Sequence, residues 1–243
     1  MITTATLCAV TLLAGFTQGI SGFGSVLLVM PVAALLFGMP VAIPLTGIVA
    51  LSLNITLLTA LRREMRGRDI APILVGLVPG FPLGVMVLRQ AEPVVLEAIL
   101  ATLVLCFALY SLLPGRAKPR PWGGRAGFAV GVLSGGLGGS IGANGPPVVA
   151  YLASQGLPKD RVRAAMAAYF LLTGCIITST HVVFGLVTSQ VLELFAFALP
   201  CLALGAFLGT RYCARVSEAA YRRLVTLFLL GLGTLMAGRV LLQ

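Results

Sequence analysis

Charge is scarce in this chain of 243 residues: 10% are Asp, Glu, Lys or Arg, against about 25% in a water-soluble domain. With 58% apolar residues and a mean hydropathy of +1.04, that deficit excludes a soluble fold. Acids are scarcest, 7 in all. Glu64, Asp69, Asp160 and Glu218 fall in basic joints, Glu92 and Glu97 near the start of an apolar run, and Glu193 a few residues into another. No carboxylate pair lies at the middle of a run, which argues against a cation or metal carrier and against hydrolytic chemistry. The five cysteines, Cys8, Cys106, Cys175, Cys201 and Cys213, include no CxxC and no histidine at ligand spacing, so neither a metal nor another cofactor is expected. They read as small buried residues, the alternative being a thiol relay that handles sulfur compounds. The amino terminus, MITTATLCAVTLLAGF, lacks the basic region of a signal peptide and is expected to remain on the mature protein.

What the chain has instead is apolar sequence in runs near 20 residues, the length that crosses a bilayer, and it has them twice. GFTQGISGFG from Gly15 aligns with GFAVGVLSGGLG from Gly127, Gly38-Met39-Pro40 with Gly156-Leu157-Pro158, and PGFPLG from Pro79 with PCLALG from Pro200. This order implies an internal duplication, one repeat in 1–115 and another in 126–243, joined by a basic linker at 116–125. Each repeat holds four apolar segments, at about 3–37, 40–61, 70–89 and 93–113, then 126–156, 159–184, 189–210 and 218–242. The first segment of each is over 30 residues long and is interrupted, by GISGFG in one and SGGLGGSIGANGPP in the other. Glycine clusters and Pro-Pro do not continue a lipid-exposed helix, because freed backbone groups in hydrocarbon cost several kcal/mol each. Two short helices meeting at a non-helical break inside the protein are expected.

Basic residues decide the topology. Of 17, all but Arg89 and Arg239 lie in or beside four joints: Arg62 to Arg68, Arg116 to Arg125, Lys159 to Arg163, and Arg211 to Arg223. If each interrupted segment enters the membrane and returns to the same face, all four joints share one side, which the positive-inside rule makes cytoplasmic. The net charge of +10 then needs no nucleic-acid partner. Three net crossings per repeat invert the second against the first. The fold expected is an all-α integral membrane protein, a polytopic helical bundle of two inverted repeats, each with a broken or hairpin first segment followed by three spanning helices. Both termini fall on the outer, periplasmic side.

Inverted repeats with broken helices build secondary transporters, whose sites form near the midplane between the breaks. At the first break Gln18, Ser21 and Ser25 offer polar side chains, while Gly22 and Gly24 let backbone approach a ligand. Ser134, Ser140 and Asn144 do so at the second, with Asn144 as helix cap before Pro146-Pro147. Exposed N–H groups at such helix starts favour an anion. Phe23 either walls the site or packs. Asn54 and Thr173, at matching depth on the segments that follow, are candidates for paired contacts or for interhelical glue. His181 is the only histidine, interfacial or else a coupling or gating group. Glu193 is the one intramembrane candidate for a proton carrier, against snorkelling to the nearby surface.

GFTQGISGFG and GVLSGGLGGSIGANGPP, each in an interrupted first segment, resemble the paired glycine-rich signatures of the TauE/SafE sulfite exporter family. The resemblance covers the chain's whole length. It implies a multi-pass protein of the bacterial inner membrane that carries sulfite, a sulfonate such as sulfoacetate, or a related anion. It does not imply an enzyme. The expected function is secondary transport of a small anion by alternating access, with the lipid bilayer as the other partner, proton or ion coupling and a homodimer as options. The alternatives are a thiol-dependent sulfur-handling redox protein and a passive anion channel.

Overall fold

The computed structural model describes residues 2–112, 122–212 and 218–241; most of the linker and Cys213 lie outside them. Among the described residues every regular element is helical. They are α1 (Ile2–Ser21), α2 (Ser25–Phe37), α3 (Met39–Leu61), α4 (Ala71–Gln90), α5 (Pro93–Leu112), α6 (Gly124–Ile141), α7 (Gly145–Ser154), α8 (Lys159–Val183), α9 (Ser189–Tyr212) and α10 (Glu218–Leu241), with one 3-10 turn at Gly67–Asp69. Six of these, α1, α3, α4, α5, α8 and α9, are long and apolar enough to cross a bilayer. Val78, Leu83, Phe197 and Phe207 on their outer faces are more than half exposed. An apolar belt of that kind requires hydrocarbon around it, and the chain is a polytopic helical membrane protein.

The interrupted segments differ from the expectation of two short helices. Their arms are unequal: α1 has 20 residues to the 13 of α2, and α6 has 18 to the 10 of α7. The breaks are also shorter, only Gly22 to Gly24 and Gly142 to Asn144. SGGLGGS does not interrupt α6 at all. No water competes for backbone hydrogen bonds in a bilayer, and the bare Cα atoms are occupied by a neighbouring helix. A Cβ on Gly131, Gly135 or Gly139 would strike the backbone of α4, as one on Gly76, Gly80 or Gly84 would strike that of α6. The same seam recurs between α1 (Gly15, Gly19) and α9 (Gly205, Gly209). These glycines serve close packing, as small residues do in membrane bundles.

Contacts give the helix directions. Gly15 meets Leu202 and Ala206 while Gly19 meets Ala206 and Thr210, so α1 and α9 run parallel; Gly76 meets Phe128 and Gly84 meets Gly136, so α4 and α6 do too. Gly47 lies against His181 while Leu51 lies against Gly174, so α3 and α8 are antiparallel. In the α5 and α10 pair, Glu97 approaches Arg239 at 3.9 Å and Gly233 packs on Leu105, again antiparallel. Exchanging the first five helices for the last five maps each of these pairings onto itself or onto another.

Three joints with basic residues meet at one end. Asp69, after α3, takes two charge-assisted bonds from Arg161 at the start of α8, at 2.7 and 2.6 Å. Gln155, after α7, donates to the Trp122 carbonyl at 3.1 Å. The last turns of α1 and α9 lie at this end through Gly19 and Thr210, and Arg163 reaches the Gly19 carbonyl. Arg89, by contrast, sits over the Phe184 ring at the far end of α8.

Candidate functional site

Both breaks and the middles of α3 and α8 line a cavity of about 40 Å³. At the first break Gly24 holds φ at +103° with no side-chain cap, a conformation nearly closed to residues with a Cβ. That turn reverses the chain into α2. Since the first intrahelical bond there runs from Leu28 N–H to the Gly24 carbonyl, the N–H groups of Ser25, Val26 and Leu27 have no carbonyl within the helix. All three residues line the cavity.

The polar side chains are held in two matching sets. Gln18 at the end of α1 donates through Nε2 to Asn54 Oδ1 on α3 at 2.9 Å, Asn54 Nδ2 donates to the Ala50 carbonyl, and the Ser25 hydroxyl donates to Gln18 Oε1. Across the cavity Asn144 donates through Nδ2 to Thr173 Oγ1 on α8 at 2.9 Å, and Thr173 donates to the Tyr169 carbonyl. Each set joins a break residue to the long helix that follows it. Gln18, Asn54 and Thr173 are 2 to 3% exposed. An amide NH₂ has two donors, and these bonds use one each on Gln18 and Asn144.

Asn144 stands at the N-cap of α7, as expected, but makes no capping bond; its side chain turns across to Thr173 instead. The start of α7 is a poorer donor than that of α2, because Pro146 and Pro147 have no N–H. The site is therefore uneven, with most backbone donors from the first repeat. No lining residue is charged. Phe23, Phe170, Ala143 and Ile177 supply apolar wall, and Phe23 is fixed edge-on against Phe107 at 5.9 Å.

Of the residues singled out in the sequence, Gln18, Phe23, Gly24, Ser25, Asn54, Asn144 and Thr173 line this cavity. Ser21, Gly22, Ser134 and Ser140 do not. Ser140 donates to the Gly136 carbonyl, one turn back in its own helix, while the Ser21 hydroxyl lies 2.8 Å from both the Thr17 carbonyl one turn back and the Phe23 carbonyl in the break. Ser134 lies behind the wall, donating to the Asn144 carbonyl at 2.7 Å with Tyr169 Oη 2.8 Å away, so it positions the break. His181 is buried, its Nδ1 without a partner among the described residues and facing Gly47, outside the lining. Glu193 is exposed on α9. Cys8, Cys106, Cys175 and Cys201 are free thiols, none in the wall.

Sequence reasoning missed Gly47, Ala50, Phe170, Gly174 and Ile177. A signal was present: Gly47 and Ala50 precede Asn54 by seven and four residues, and Phe170, Gly174 and Ile177 flank Thr173 at helical spacing, so all share a face with a polar residue already in view.

A family model described as "Sulfite exporter TauE/SafE" matches residues 7–236. No curated protein and no solved structure matches the chain.

Proposed function

We infer, since the chain belongs to the sulfite exporter TauE/SafE family and is by that membership a membrane transport protein, that it carries a small inorganic oxyanion such as sulfite. The observation that carries this reading is the charge-free cavity with the α2 start opening into it. Helix-start N–H groups bear partial positive charge, the amides of Gln18 and Asn144 add donors, and no lining residue carries a negative charge to offset a cation's desolvation. The cavity is small, with room for about three waters, which favours a compact oxyanion over a sulfonate with a carbon chain such as sulfoacetate.

Alternating access would follow from the repeats, taken as 1–115 and 126–243 and inverted in the membrane. The antiparallel pairing of α3 with α8 and of α5 with α10 supports that inversion. Under the positive-inside rule the end bearing Asp69, Arg161 and Arg163 is cytoplasmic, which puts both termini in the periplasm of a bacterial inner membrane. Thermal-shift titration of purified protein against sulfite, sulfate, thiosulfate, sulfoacetate and acetate tests the reading. Sulfite is expected to give the largest saturable shift. Equal shifts with sulfite and acetate, or none with any anion, would overturn it.

A further inference from the structure

The two breaks match at their first residue and are unequal in charge. Gly22 and Gly142 both take positive φ, 84° and 72°, and each lies against the long helix of the other repeat. Gly142 faces the methyl of Met30 and the Ile43 carbonyl. Gly22, at the matching place, faces Arg163: a Cβ there would sit 3.2 Å from Arg163 Cγ. Ile43 and Arg163 are separated in the chain by the same interval as the two glycines. A methyl and a backbone carbonyl therefore back one break, and the aliphatic stem of a charged side chain, Arg163, backs the other.

The Arg163 side chain is 14% exposed and its guanidinium is incompletely paired. Nη2 donates to the Gly19 carbonyl at 3.1 Å, in the last turn of α1, and Nη1 lies 3.3 Å from Asp160, whose side chain is 64% exposed. Nε is buried with no partner among the described residues. Topology needs a positive charge near this joint but not a buried one, and a buried charged donor without an acceptor is costly. The Nε and Nη2 edge of arginine matches two oxygens of an oxyanion.

We propose that Arg163 is a second anion-binding station, beside the first break at the basic end of the molecule, which takes a small oxyanion through Nε–H and Nη2–H and has no counterpart beside the second break. Binding there exchanges the Gly19 carbonyl for an anion oxygen, which frees the end of α1 from the start of α8, so occupancy and opening at this end are linked. The proposal rests on the oxyanion reading above and adds a side to it.

The test is sulfite uptake into membrane vesicles of both orientations, with KM read separately from the two faces. Arg163→Gln is expected to raise KM about tenfold from the basic face and to leave the other face within about twofold. Asp160→Asn removes a competing carboxylate from an exposed position and is expected to lower basic-face KM by about twofold; it decides the matter alone if Arg163→Gln fails to insert. An unchanged basic-face KM in either variant, or equal changes on both faces, overturns the station. Wild-type vesicles that carry no sulfite overturn the transport reading and the station with it.

Discussion

Asn144 concentrates the residue-scale chemistry, because it stands at a helix start, lines the cavity and holds Thr173. Replacing it separates donor from charge. Asn144→Ala deletes a donor, worth about 1 kcal/mol net, and should weaken sulfite binding about fivefold. Asn144→Asp deletes the same donor and adds a buried negative charge that repels the anion, so its loss should exceed that of the alanine variant by about tenfold or more. Calorimetric titration checks both, and an Asp variant that binds as tightly as wild type removes Asn144 from the site. Gln18, Asn54, Asn144 and Thr173 were legible in the sequence because an amide or hydroxyl inside an apolar run must find a partner. Ser140 looks the same in sequence, yet its hydroxyl bonds back along its own helix, and that of Ser21 is shared between its helix and the Phe23 carbonyl. Whether a serine turns to its own helix or to a cavity is a rotamer choice set by neighbours.

At the scale of the element, glycine was legible as an interruption and turned out chiefly to be a seam. Only Gly22, Gly24 and Gly142 in the two breaks take positive φ; the rest of those clusters stay helical and bring α6 onto α4 and α1 onto α9. Gly80→Val would press a side chain into the Val132 backbone on α6, whereas Gly231 has nothing within 4 Å. Overpacking at Gly80 should cost about 3 kcal/mol, and Gly231→Val no more than about 0.5 kcal/mol. Melting in detergent distinguishes them, equal losses meaning that the seam is looser than described. A glycine tract that ends a helix and one that admits a neighbour's backbone have the same composition. The difference lies in another helix, about fifty residues away in the chain for α4 and α6.

For the whole molecule, the arrangement of ends is the claim most exposed to test. In a cysteine-free background, single cysteines at Arg63 and Val183, both exposed, should react with a membrane-impermeant maleimide from opposite sides in intact cells and inverted vesicles. Reaction from the same side would end the hairpin topology. The cysteine-free protein itself should keep its sulfite transport, since the described thiols lie outside the cavity wall. The amino-acid sequence by itself determined that the protein lives in a bilayer, that it is helical, that its motif pairs recur, and which joints carry its basic residues. Those properties follow from transfer energies and backbone hydrogen bonding, which act residue by residue along a local run. Tertiary structure alone decided which helices pair, how long the breaks are, which small residues open the cavity, and that Arg163 packs on one break while Met30 and the Ile43 carbonyl back the other. Each of those depends on atoms brought together from distant parts of the chain, where contact distance rather than composition sets the energy.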